Sequence, residues 1–453
     1  MMGFEISIWI DTFKAKEQEF KNWIREHSFL TTMILFICIK FTMLFIFIEL
    51  FNLLGETVWD NNYPRFHSGI EFFDLLGTRW DSNIYIPMAE NGYAPINSST
   101  DYRAWVFPPL YPFLINILVQ ISPIELHYTV SAVIITNIFS VTSVMAFYLM
   151  ARHYLDEIKS IYATLFFAFF PPVFVFSTVA YSEPIYLTFV ILSWYFFEKQ
   201  RYPLAGLFLA ISTFARYEGA LFFFLYAAIY LGRCIRERDE RLFAGSLLAI
   251  PFFPVIILIK TTIIIRKRVL SFRKQLSLTY AEKIKSPEEP HQILDFLNTE
   301  LSWVLIWGIF PLLWLLHIDA TAPLPLGDLR KMFWGADFDG FFSGFFEMLG
   351  GGDIRWTLEK YSFVFLIAII GFFPLRKWPS LSLSIIGQVI LYASYSAAGW
   401  SIVRYIGSVF HPHVVLTDEL SNSPKIFLLI LSFFLLYSFK VLWSFTHWSL
   451  WLI

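Results

Sequence analysis

The chain has 453 residues, of which 57% are hydrophobic, 20% aromatic and only 15% charged, with 52 phenylalanines and a net charge of −2. A soluble domain carries about 25% charged residues, so this composition excludes an ordinary soluble protein, and the near-neutral balance argues against a nucleic-acid partner. Two cysteines, Cys38 and Cys234, in or beside apolar runs, supply no disulfide framework.

Met1 to Ser28 mixes acids with Lys14, Lys16, Lys21 and Arg25 and reads as a cytoplasmic amphipathic lead-in without a processing site. Apolar stretches of roughly 20 residues mark spanning helices. The first is Phe29 to Leu54. A polar and aromatic loop, Gly55 to about Trp105, follows, then the proline-opened run Val106 to Pro123. Further spans are predicted at Tyr128 to Ala151, Ser160 to Ala180, Pro184 to Phe197, Pro203 to Arg216, Ala220 to Leu231 and Leu242 to Ile265. A mixed segment fills Arg266 to Glu300, Leu301 to Leu316 is apolar but short, and the loop His317 to Lys360 holds Gly350, Gly351 and Gly352. The tail reads as Tyr361 to Pro374, Leu381 to Tyr395, Ile402 to Leu416 and Ile426 to Trp443. The fold expected is an all-α polytopic membrane protein of about 11 transmembrane helices, with no internal repeat.

Basic residues in short loops set orientation. Gly232 to Arg241 is the richest basic connector, and Glu198 to Arg201 and Pro374 to Lys377 are basic too. Placing these inside puts the N-terminus inside and the loop Gly55 to Trp105 outside. That loop holds seven acids against three arginines. The parity requires Val106 to Pro123 and Leu301 to Leu316 to lie at the outer interface without crossing. Arg266, Lys267, Arg268, Arg273 and Lys274 then fall outside, against the rule.

Four polar clusters share the outer face: Gly77-Thr78-Arg79-Trp80-Asp81 with Ala89-Glu90-Asn91-Gly92-Tyr93; Val106 to Pro112; Ala180-Tyr181-Ser182-Glu183-Pro184; and Phe214 to Gly219. Arg404, beside Tyr405 in a late span, is a fifth. A charge at membrane depth is costly unless paired or hydrated, so Glu183, Arg216 and Glu218 need a reason to be there. One reason is an ion pair between helices, as for Arg216 with Glu218.

Together, Arg79-Trp80-Asp81, the downstream Glu90-x-Gly92-Tyr93, Phe107 to Pro112, Tyr181-Ser182-Glu183 and Ala215-Arg216 resemble the PIG-V family. These are GPI mannosyltransferase II and its prokaryotic relatives, within the GT-C glycosyltransferase superfamily. The resemblance covers about Gly55 to Leu231, and Arg404-Tyr405 extends it weakly. It implies a GT-C-type transmembrane module over residues 29–265, including an outer loop 55–127. An extracytoplasmic mixed segment with an interfacial helix follows over 266–360, then C-terminal transmembrane helices over 361–453. The implied donor is a sugar on a polyprenyl phosphate, dolichyl-phosphate mannose first. The acceptor is a glycan or glycolipid, and transfer is inverting, on the extracytoplasmic side. The Phe/Ile-rich composition points to a prokaryotic plasma membrane; a eukaryotic source implies the endoplasmic reticulum.

In such a site the acceptor hydroxyl loses a proton as it attacks the anomeric carbon, and Asp81 is placed to take it. Arg216 or Arg404 suits the lipid phosphate, because a guanidinium fork matches phosphate oxygens. Glu183 and Glu218 support the site, and Arg79, Trp80, Glu90 and Tyr93 line it. Trp80, Tyr93 and Trp105 suit stacking on a sugar face, but in so aromatic a chain packing or interface belts are the favoured reading. No metal or cofactor is expected: a lipid monophosphate lacks a diphosphate, Asp81-Ser82-Asn83 is not a paired Asp-x-Asp, and His411 and His413 lack partner ligands. Two other classes compete, a transporter or flippase of a lipid-linked substrate and a non-catalytic assembly subunit. The first would show repeats with helices broken in matching places; the second would not need Asp81, Glu183 and Arg216 on one face.

Overall fold

The computed structural model describes residues 22–58, 76–96, 101–236, 301–334, 364–393 and 404–446, except 406 and 422, together with 16, 18 and 19. The expected span Leu242 to Ile265, the mixed segment Arg266 to Glu300 and Gly350 to Gly352 lie outside these residues. The described chain is helical. In order come α1 (Ser28–Val58), α2 (Ser82–Asn91), a 3-10 turn (Arg103–Val106), α3 (Leu110–Ile121), α4 (Tyr128–Tyr154), α5 (Glu157–Phe169), α6 (Pro171–Phe176), α7 (Glu183–Glu198), α8 (Tyr202–Ala215), a 3-10 turn (Tyr217–Gly219), α9 (Ala220–Arg236), α10 (Leu301–Thr321) and α11 (Leu326–Trp334). After these follow α12 (Val364–Leu375), α13 (Pro379–Ala393), α14 (Pro412–Leu420) and α15 (Pro424–Thr446).

Among the described residues three helices are long and apolar enough to cross a membrane alone, within Ser28–Leu50, Tyr128–Tyr154 and Pro424–Trp443. Trp307–Thr321 and Leu326–Met332 qualify only as a pair bent by 71°. The expected count of about 11 spans is therefore not confirmed.

Proline explains where the observed helices depart from the predicted ones. Ser160 to Ala180, expected as one span, is α5 and α6 broken at Phe170, whose ψ of 124° is extended. Pro171 bars the helical region to the residue before it. The expected span Ile402 to Leu416 is likewise interrupted, since α14 starts at Pro412. Leu301 to Leu316 runs on to Thr321 and packs along α8 and α9. Val106 to Pro123 shortens to the 12-residue α3, against α2 and α4.

The centre of the bundle is the hairpin of α7 and α8, with α4 against α7 and α10 against α8. Small residues let these helices approach, as hydrocarbon offers no drive between them: Ser193 Oγ donates to the Ala205 carbonyl at 2.7 Å. Buried rings fill the rest. Trp194 is fully buried, its Nε1 donating to Tyr154 Oη at 2.9 Å, and Phe197 stacks on Tyr226 at 4.1 Å. At the connector end Glu198 accepts from Arg233 at 2.7 Å. There Asp418 also binds Lys159 and Lys377. Burial alone would raise the Asp418 carboxyl, but hydrogen bonds from the two lysines hold it below its ordinary value.

The hairpin turns at Lys199–Arg201. Arg201 N–H donates to the Phe196 carbonyl at 2.8 Å and Gln200 N–H to the Phe197 carbonyl at 3.0 Å, with Gln200 left-handed at φ 58°. This is the helix-ending pattern that normally uses glycine. Gln200 is exposed, so Gln200→Gly should stabilise the protein by about 1 kcal/mol, the left-handed penalty less glycine's extra chain entropy. A higher thermal midpoint in detergent is the expected readout.

Candidate active site

Between α6 and α7 the chain runs without helix from Ser177 to Ser182. Non-helical backbone at membrane depth is tolerated only where protein satisfies its polar groups. Here side chains from three elements do so. Lys40 of α1 donates to the Ser177 carbonyl at 2.9 Å, Asn137 of α4 to Thr178 at 3.4 Å, Ser82 of α2 to Ala180 at 2.9 Å and Thr136 of α4 to Tyr181 at 3.2 Å. The Ala180 N–H donates to Leu76, and Tyr85 and Ser182 share a hydroxyl bond at 2.8 Å. Tyr85 stands edge-on to Phe107 and Tyr111 at 5.1 and 5.0 Å. The Arg-Trp-Asp, Phe107–Pro112 and Tyr-Ser-Glu blocks thus meet in one place.

Trp80 carries φ 55°, a left-handed conformation uncommon for a bulky side chain and costly by about 1–2 kcal/mol. That turn delivers Asp81 to the start of α2. An aspartate there would ordinarily cap the helix with its carboxylate, but this one makes no cap bond. Its N–H donates to Tyr181 Oη at 3.2 Å, and its Oδ2 accepts from Arg404 Nη1. Arg404 Nε donates to Glu183 Oε1, which also accepts from Arg216 Nη1. Arg216 Nη2 then donates to Glu218 Oε1 at 2.7 Å.

The result is a row of alternating charges: Asp81, Arg404, Glu183, Arg216, Glu218. Arg404 also lies 4.7 Å from the centre of the Tyr181 ring, and Arg216 5.8 Å from that of Tyr405. The three inner side chains are 5–7% exposed, whereas Asp81 is 18% and Glu218 22% exposed. The row is buried in its middle and open at both ends. Glu183 Oε2 and Arg216 Nε are buried without a hydrogen bond. Gly219 closes the turn behind Glu218, where a Cβ would stand 2.7 to 2.9 Å from Thr213 and Ser212 atoms.

Of the residues singled out in the sequence, Asp81, Glu183, Arg216, Glu218 and Arg404 come together. Arg79 is buried and Trp80 half-buried beside Asp81. Glu90 does not join them: it is exposed at the far end of α2, about 13 Å along the helix from Asp81. Tyr93 is a staple, donating to the Phe107 carbonyl at 2.9 Å and packing on Trp105 and Trp314. Burial pushes its hydroxyl well above the ordinary tyrosine value. The ring and hydroxyl of Tyr181 and the amine of Lys40 were missed; Lys40, a charge inside an apolar run, was the available signal. No group of three or more His, Cys, Asp or Glu side chains among the described residues could hold a metal ion.

Residues 107–258, a third of the chain, match the family described as dolichyl-phosphate-mannose-protein mannosyltransferase. Over 142 residues the chain is 28% identical to GPI mannosyltransferase 2 of Schizosaccharomyces pombe, a match covering 31% of this chain and 29% of that protein. These matches bear out the resemblance read from the motifs, that of a PIG-V-like glycosyltransferase of the GT-C superfamily, and with the apolar helices they mark an integral membrane protein. The matched family segment contains Glu183, Arg216 and Glu218, while Asp81 and Arg404 fall outside it. Among solved structures the chain is similar to the oligosaccharyltransferase of Archaeoglobus fulgidus in its apo form, with a TM-score of 0.42 and 13% identity over 95% of this chain and 56% of that one. The same enzyme in complex with an inhibitory peptide and a dolichol-phosphate gives a TM-score of 0.42 over 55% of its chain. That likeness is loose.

Removing one partner of a buried ion pair leaves the other charge stranded, at about 3–5 kcal/mol. Arg404→Met leaves Asp81 without its cation and Glu183 with Arg216 alone, and should cost about that much. Adding Asp81→Asn or Glu183→Gln should recover part of the loss. Thermal unfolding of the single and double variants measures the coupling; purely additive losses contradict a shared row.

Proposed function

We propose that the protein transfers a hexose, with mannose the first choice, from a polyprenyl-phosphate donor to a hydroxyl of a glycan or glycolipid. The reaction takes place at the end of the bundle opposite the basic connectors, the extracytoplasmic side. The observation that supports this best is the charge row itself, which ends on a partly exposed Asp81 with one oxygen held and the other open. Arg404 fixes Oδ2; Oδ1 accepts no hydrogen bond from any described residue.

The chemistry follows from that arrangement. An acceptor hydroxyl at Oδ1 gives its proton to Asp81 as its oxygen forms the bond to the anomeric carbon. The bond from that carbon to the phosphate oxygen breaks on the opposite face, and the phosphate leaves with the electron pair, inverting the configuration. The leaving phosphate gains charge, and preorganised cations stabilise it. Arg216 has both terminal nitrogens on Glu183 and Glu218, which supports a role in holding the carboxylates over a direct grip on phosphate. Arg404, beside Asp81, is the nearer cation to the reacting centre.

Purified protein in lipid nanodiscs, given a polyprenyl-phosphate mannose, should transfer labelled sugar to a glycolipid acceptor. Asp81→Asn keeps the shape and removes the base, so turnover should fall at least ~10²-fold while donor binding survives. Near-normal turnover in that variant removes Asp81 from the role, and donor binding without transfer in the wild type would favour a flippase. Chelation is a separate check. The donor carries a single phosphate, and the carboxylates of the row are matched to guanidinium groups, so EDTA should leave turnover unchanged; loss restored by a divalent ion would overturn metal independence.

A further inference from the structure

Lys40 lies near the middle of the first apolar span, Ser28–Leu50, and is 6% exposed. An ionisable residue at that position opposes insertion, and where it persists its partner indicates its use. The partners are three oxygens: Ser140 Oγ at 2.8 Å, the Ser177 carbonyl at 2.9 Å and Ser177 Oγ at 3.4 Å. A lysine amine has three donors and no acceptor, and two of the three go to one point of the fold while the third goes to Ser140 of α4. That point is Ser177, where α6 ends and the non-helical segment carrying Tyr181 and Glu183 begins.

The neighbouring carbonyls of this segment are held by neutral donors, Asn137, Ser82 and Thr136. A serine or asparagine would have satisfied Ser177 in the same way. The long charged side chain adds a stronger, charge-assisted bond to the carbonyl and a favourable cation at a helix C-terminus. It also ties α1 to α4 through Ser140.

We propose that Lys40 is a positioning residue for the transfer site: it anchors the near end of the 177–182 segment so that Tyr181 and Glu183 meet Asp81, Arg404 and Arg216 in register. The inference rests on the reading of the charge row as the transfer site.

The test uses full-length protein in nanodiscs with polyprenyl-phosphate mannose as donor, and two readouts. Lys40→Met should lower turnover by about 10- to 100-fold, the size of effect a small misplacement of reacting groups produces, with donor KM little changed. It should also speed hydrogen exchange in the peptide spanning residues 174–184, with Lys40→Arg restoring most of both. Ser28→Ala, which removes another bond between α1 and α4 (to Tyr148), should change neither readout. Wild-type turnover in Lys40→Met overturns the inference, as does slowed turnover with unchanged exchange, or an equal loss in Ser28→Ala. Should Lys40→Met not fold, Lys40→Gln takes its place under the same criteria. If the wild type transfers no sugar, the functional reading fails, while the exchange readout still decides whether Lys40 holds the segment.

Discussion

A backbone that leaves the helix inside a membrane has no water to turn to, and the break between α6 and α7 answers that constraint with side chains from its neighbours. It starts at Ser177, and four side chains take the carbonyls of Ser177, Thr178, Ala180 and Tyr181. Because those side chains come from α1, α2 and α4, closing the break also assembles the bundle. Glu183 becomes the first residue of α7, fixed in depth and direction, and two arginines close on it from α8 and from the segment before α14.

The depth follows from helix length. Measured from the Lys199–Arg201 turn, the 16 residues of α7 and 14 of α8 rise about 24 and 21 Å. The hydrocarbon core is about 30 Å thick, so in the proposed orientation the charge row falls short of the far boundary. Such a position keeps water scarce around the inner arginines and leaves only the two terminal carboxylates open. In that setting neutralising Arg404 and Arg216 from both sides is a condition for folding as much as for chemistry.

Much of this was legible in the sequence because charges inside apolar runs are rare enough to stand out. Glu183, Arg216 and Glu218 announce themselves, and Asp81 does so through the Arg-Trp-Asp block. Arg404 was visible as a lone cation, but its pairing with Asp81 spans more than three hundred positions and has no local signature. Glu90 shows the opposite failure, since adjacency in a motif placed it beside Asp81 while the rise of α2 carries it away. The boundaries of one expected span differ for a physical reason too. Hydropathy registers the apolar run and not the proline break within it, so Ser160 to Ala180 read as one helix. Lys40 sat unused in the first span because periodicity marks it as an anomaly without saying which carbonyl it will reach.

The row of five charges also constrains how this protein can change by descent. Replacing Arg404 takes the cation from Asp81 and replacing Arg216 takes it from Glu218, so a second change must answer the first, whereas replacing Glu183 leaves each arginine one carboxylate. The terminal members, Asp81 and Glu218, have one neighbour each and a face open to water, so they can vary at lower cost to the fold. Substitutions in the row should therefore be inherited as linked sets, with single intermediates depleted. On the proposed reading, a lineage that lost transfer while keeping the bundle would shed Asp81 first and retain the inner three.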